Sequence, residues 1–211
     1  MQVDILIRMF MANKRCINLS NIDDALDCSN IDNMGGIVPQ LIYGYWDDVA
    51  AWPDLPVPTA DKALELDEAG AWDGDVVMKE GTCAYQMDFT DDTGEFKMTD
   101  QGETGGESTL CELNIISAKM RKKIFGFQNA TKGKKMFFIV QDNNGTRYLM
   151  GDKRNGAKSV AGDGATTGAN ATARNQTSLK FQYSCPRKLV YEGDTVNLLQ
   201  IAPAPAPPAG S

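Results

Sequence analysis

Apolar and polar positions alternate with a period of two along much of this chain. Cys83, Tyr85, Met87 and Phe89 interleave with Ala84, Gln86 and Asp88, the pattern of a strand with one face in a core. Asp91-Asp92-Thr93-Gly94 punctuates that run as a turn, and Glu95–Thr99 starts a return strand. After the polar stretch from Asp100 to Glu107, Thr109–Ile116 predicts a further strand. Ile37–Trp46 is apolar and aromatic with Pro39 near its start, as befits a strand entering the core. Met136–Gln141 and Thr146–Met150 flank Asp142-Asn143-Asn144-Gly145. An Asn-Gly pair suits the positive φ angles of a type I′ turn, so these runs predict a hairpin. Leu179, Phe181, Tyr183 and Cys185 alternate again, and Leu189–Tyr191 with Thr195–Ile201 finish the sheet.

The helical period is well marked in one place. Met120, Ile124 and Phe127 recur on one face, Ser117 is suited to the N-cap and Gly133 to the stop, predicting a helix over about 117–131. Residues 61–69 suit one or two helical turns without a firm cap. Pro53, Pro56 and Pro58 make a stiff loop. Gly151–Thr177 runs for 27 residues with little that is bulky and apolar, and is expected to reach outward to a neighbouring subunit. The fold class that follows is mainly β: a β-sandwich or rolled antiparallel sheet with one flanking helix and long loops. Its expected parts are an arm over 1–36, a single β-rich domain over 37–201, and an extended Pro/Ala-rich tail over 202–211.

Composition narrows the chemistry. With 211 residues, 42% of them hydrophobic, the chain can bury one sizeable core. It has no histidine, which excludes Ser-His-Asp and Cys-His nucleophiles, histidine bases and histidine metal sites. Its five cysteines are widely spaced without a C-x-x-C pair, so ordinary reduced thiols fit better than zinc ligands or a disulfide scaffold. Gly151–Ser159 nearly spells a phosphate loop, but Ala157 spoils the spacing and no helix pattern follows. Gly162-x-Gly164-x-x-x-Gly168 likewise misses the dinucleotide pattern. The expectation is a non-enzymatic protein with no catalytic site, cofactor or metal. Asp4 and Arg8 break the apolar start, no apolar run reaches the length of a membrane span, and Met11 offers an alternative first residue. Synthesis in the cytoplasm is expected.

Charge adds a stronger signal. Residues 1–110 carry 6 Lys and Arg against 22 Asp and Glu, a net of −16, whereas residues 111–211 carry 15 against 6, a net of +9. Either the halves neutralise each other within one fold, or the acidic face of one copy meets the basic face of the next. Lys119, Arg121, Lys122 and Lys123, with Lys132, Lys134 and Lys135, form the basic core. They suit a solvated helix face, a nucleic-acid contact or docking onto a neighbour's acidic half.

Leu110–Glu192 contains FFIVQDNNGTRYLMGD, then AGDGATTGANATARNQTSLKFQYSC, then PRKLVYEGD. This stretch of roughly 80 residues resembles tail tube (major tail) proteins of tailed phages, particularly those of Bacteroidetes hosts. The matching positions are Ile139–Met150, Thr167–Ala169, Arg174-Asn175 and Leu179–Tyr183. The resemblance implies a virion protein with a β-sandwich and one helix. Such proteins form six-membered rings by strand pairing between subunits, stacked into a tube that conducts the genome without sequence-specific binding. Its partners would be further copies of itself and other tail proteins. Lys122, Lys123, Gly162, Gly164, Thr167, Gly168, Arg174 and Asn175 are the candidate self-assembly residues. The alternatives are another virion part (a head–tail connector, capsid decoration or fibre-base protein) and a carbohydrate- or protein-binding module using Trp46, Trp52 and Trp72.

Overall fold

A computed structural model describes residues 16–22, 33–59, 62–162 and 164–200. The 202–211 tail, the alternative start at Met11, Cys28 and most of the predicted arm lie outside the described residues.

Two antiparallel sheets form the body, and the fold is mainly β. The first has the order β4 (Tyr85–Asp88), β1 (Ile37–Tyr45), β7 (Met136–Asp142), β8 (Arg147–Met150). The second has the order β10 (Ala165–Thr166), β11 (Gln176–Cys185), β6 (Ser108–Ala118), β5 (Glu95–Gln101), with β9 (Lys158–Ser159) also paired to β11. Two short strands, β2 (Val49–Ala51) and β3 (Val77–Met78), pair separately.

The inner faces meet in a core that includes Leu41, Phe138 and Val140 from the first sheet and Leu113, Ile115 and Phe181 from the second. Phe138 and Phe181 approach to 4.5 Å between ring centroids. A second cluster covers the other face of the first sheet: Phe137, Ile139 and Leu149 pack against Val49, Trp72, Val76, Tyr191 and Leu198. This middle-layer position explains the sequence of β7, where Met136–Val140 is a continuous buried apolar run. Pro39 lies in the interior strand β1, where the β7 register shifts between Ile37 and Leu41 and a ladder N–H can be spared.

Several expectations change in detail. The predicted helix starts later: the described helix is Lys122–Thr131 (here α2, after the short α1, Leu66–Gly70). Ser117 is not its N-cap but a buried inward position of β6, which pairs with β11 through Ala118. The strand period thus extends past the cap signal, and Lys119 turns the chain at φ +65°. Ile124 is buried and Phe127 packs on the core, but Met120 precedes the helix and is 37% exposed. The α1 turn is firmly capped, since Glu65 N donates to Glu68 Oε2 at 3.0 Å in a reciprocal capping box.

The return strand after Asp91–Gly94 does not pair with β4. β5 pairs with β6, so that turn carries the chain from one sheet to the other. The β7–β8 hairpin is present, but its turn is not type I′. Among Asp142–Thr146 only Gly145 has positive φ, at +92°. Gly145 N donates to Asp142 O and Asp142 N to Thr146 O, a three-residue loop with a glycine bulge. Asp142 Oδ1 accepts from Asn144 N and Thr146 N and thereby selects it. Finally, Leu189–Tyr191 and the described part of the predicted Thr195–Ile201 strand add no strand to either sheet. Val190 makes one bridge to Ala71, and Asn197–Leu199 is a 3-10 turn. Leu189, Tyr191 and Leu198 serve as packing residues instead.

Candidate assembly surface

Phe96 of β5 stacks on Tyr148 of β8 at 5.0 Å, so these two edge strands lie on one side of the sandwich. On the other side is β4, with α2 beside it, held by Phe127 against Tyr43 of β1 and Phe181 of β11. Both β4 and β5 end their sheets, so each leaves one row of backbone N–H and C=O groups without a strand partner in the subunit.

The side bearing α2 is basic. Lys122 and Lys123 occupy the first helical turn, Arg121 stands at the N-cap position without a side-chain cap, and no acidic residue lies in that turn. Cations at this end oppose the helix dipole, by about 0.3–1 kcal/mol each where exposed. Among the described residues, Lys119, Arg121, Lys122, Lys123 and Arg174 join no ion pair. Arg121 instead donates to Ser117 Oγ at 2.9 Å. Next to this end, an open groove of about 700 Å³ runs between β4 and α2. Its apolar floor includes Tyr43, Met87, Ile124 and Phe127, and Lys119, Arg121 and Lys123 line it together with one carboxylate, Asp88 of β4. Burial, with Tyr85 nearby, pushes the Tyr43 phenol above its ordinary pKa.

The 27-residue stretch Gly151–Thr177 divides into two parts. Its first part belongs to the core, contrary to the expected outward reach. Met136 and Ala157 exchange two 2.8 Å backbone hydrogen bonds, and Ala157 is fully buried. Trp46 and Trp52 clamp this part, with Trp46 Nε1 donating to Asp152 O at 2.7 Å. A Cβ on Gly156 would stand 2.8 Å from Trp46 Cδ1, and one on Gly151 3.1 Å from Trp52. The tryptophans are therefore internal struts rather than an exposed aromatic platform: Trp46 and Trp52 are half-buried and Trp72 is buried.

The described residues of the second part are mostly exposed up to Asn175, Thr177 being buried at the start of β11, and they include six of the eight predicted residues. Gly162 approaches Lys180, and the Gly164 carbonyl accepts from Ser178 N at 2.9 Å. Gly168 has φ +78°, and a Cβ there would meet Ala173 at 2.7 Å, so the tip around Thr167 closes on itself. Asn175 ties this loop to the basic segment, its carbonyl accepting from Lys119 N at 2.9 Å. Arg174 and the end of this loop thus lie beside the segment that leads into α2. No family model, curated protein or solved structure matches this chain.

The opposite edge carries more acid than base, Lys97 being the one cation of β5. Glu95, Glu103 and Glu107 on and beside β5 are exposed and, among the described residues, unpaired with any cation. Only part of the charge split is resolved inside the subunit. Lys188–Asp100 at 2.6 Å and Lys153–Asp54 join the basic half to the acidic half, while the α2 cluster stays uncompensated. Sequence reasoning missed the groove and the placement of β4 and β5 on opposite edges, because both depend on which strands end each sheet.

Proposed function

We propose that this chain is a self-assembling structural protein that associates head to tail, the basic β4–α2 edge of one copy against the acidic β5 edge of the next. Its best-fitting role is the ring-forming tail tube component of a tailed phage, which the sequence resemblance over 110–192 supports. The observation that carries the self-assembly reading is the opposition of two open sheet edges of contrary charge. A heterologous interface of this kind repeats, and it closes into a ring when the rotation permits. Basic residues at the start of α2 violate the local preference of a helix, as residues at functional sites do. An acidic neighbour would relieve that conflict.

Light scattering across a salt series tests the reading. The Debye length falls from about 10 Å at 0.1 M to about 3 Å at 1 M, so association slows steeply while buried contacts persist. Reversing Lys122 and Lys123 to Glu slows assembly and does not lower the melting temperature of the monomer, because acidic residues at the start of a helix favour its dipole. Negative-stain images then show rings or tubes for the wild type. A chain that stays monomeric at every concentration and salt, or a double variant that melts early yet assembles normally, sinks the reading.

A further inference from the structure

Cys111 and Cys185 lie away from both edges, on the inward face of the β6–β11 ladder. Cys111 is opposite Tyr183 and Cys185 opposite Thr109, so the two cysteines are diagonal neighbours. Their Sγ atoms are 3.7 Å apart, and the residues are 1% and 5% exposed. Cys185 Sγ also donates to the Arg187 carbonyl at 2.9 Å. The hydrogen bond from the Cys111 thiol holds the Cys185 thiol below its ordinary pKa, while that bond and burial push Cys111 up. The more acidic thiol ends its strand, beside an open groove lined by Thr109, Pro186 and Arg187.

We propose that Cys111 and Cys185 are a modification site, closing to a reversible cross-strand disulfide when the folded protein meets a hydroperoxide. The Cys185 thiolate attacks the O–O bond of hydrogen peroxide, giving a sulfenic acid and, with one proton, water. The Cys111 thiol then attacks that sulfur and displaces the hydroxyl as a second water. Overall two thiols lose two electrons and two protons, and one peroxide becomes two waters. Hydrogen peroxide is small enough to reach a residue only 5% exposed, whereas a glutathione-sized disulfide is excluded by the burial of both cysteines. Bond formation needs the sulfurs to close by about 1.7 Å, to the usual 2.05 Å. The end of β11 supplies that movement more readily than the middle of a ladder. Thiols that only pack as small hydrophobes would stay reduced under the same treatment. The cross-link forms whether or not the chain assembles.

The test uses the full chain, with Cys16→Ser, Cys28→Ser and Cys83→Ser removing competing thiols. Native protein is treated with hydrogen peroxide, then alkylated and mapped by mass spectrometry. Expected are a peptide of Cys111 linked to that of Cys185, loss of both free thiols, and reversal by dithiothreitol. Closing a loop between residues 74 apart also raises Tm by roughly 5 °C or more. The same mapping on the unsubstituted chain needs no variant to fold. Thiols that stay free, over-oxidise to sulfinic acid without linking, or link only in denaturant overturn the proposal.

Discussion

Asn175 accepts, through its side-chain Oδ1, a 3.0 Å hydrogen bond from the backbone N–H of Met120. Its own carbonyl takes the neighbouring Lys119 N–H. One asparagine thus holds the end of the long loop against the turn that leads into α2. Asn175→Ala should cost about 0.5–1 kcal/mol in urea denaturation. It should also slow assembly more than that loss explains, because the end of the loop is no longer held beside the basic segment. Unchanged assembly would separate the loop from the interface.

The two parts of the loop should respond differently to change. Gly156→Ala forces a methyl against Trp46 and the Met136 carbonyl. A loss of about 1–3 kcal/mol is expected, read from the denaturation midpoint. Replacing residues 167–173 by a short glycine turn removes only exposed chain and should leave Tm nearly unchanged while impairing assembly.

Tyr183 presents a third test. Its hydroxyl is buried and, among the described residues, makes no hydrogen bond of normal geometry; burial, with the Asp152 carboxylate nearby, pushes its pKa above the ordinary phenol value. Tyr183→Phe removes the desolvated hydroxyl and keeps the ring. Stability should hold or rise by up to about 1 kcal/mol in guanidinium titrations. A clear loss would mean that the hydroxyl is satisfied in solution.

Much of this architecture was legible from alternation alone. β6 and β11 follow it because inward side chains repeat every second residue, and Phe181 and Tyr183 fall where the pattern puts them. Ser117 misled because a serine beside apolar residues has the chemistry of a helix cap, yet only tertiary pairing with Thr177 decides that it stays in the strand. Lys122 and Lys123 stood out as charge. Their relation to Asn175 and to the β4 groove rests on long-range pairing, which single-residue patterns do not encode. Glu65 went unnoticed as a cap because glutamate is not a usual N-cap residue, although its partner Glu68 is well placed.

Acid should weaken the second sheet. Gln182 at 2.6 Å and Lys180 at 3.0 Å hold the Glu112 carboxyl below its ordinary 4.5. Lys188 and Thr109 likewise hold Asp100 below 3.8. A depressed carboxyl contributes stability that is present above its unfolded pKa and lost as pH falls through its folded value. Tm should therefore decline as pH drops below 4.5, and Glu112→Gln should flatten part of that decline. Thermal melts across an acid series measure both. An identical slope in the variant would remove Glu112 from the account.

The ladder between β6 and β11 also gives the subunit a direction of mechanical weakness. Ala118 is opposite Gln176 and Thr109 opposite Cys185, so the two strands run antiparallel over ten register pairs. Chain tension enters β6 from the β5 side at Ser108 and leaves β11 at Cys185, which is the same end of the ladder. Pulling on the chain ends therefore peels the pairs apart one after another. A load applied between Ala118 and Cys185 acts at opposite ends and must shear all the pairs together. The subunit is thus soft when unravelled along its own chain and stiff when gripped across this sheet.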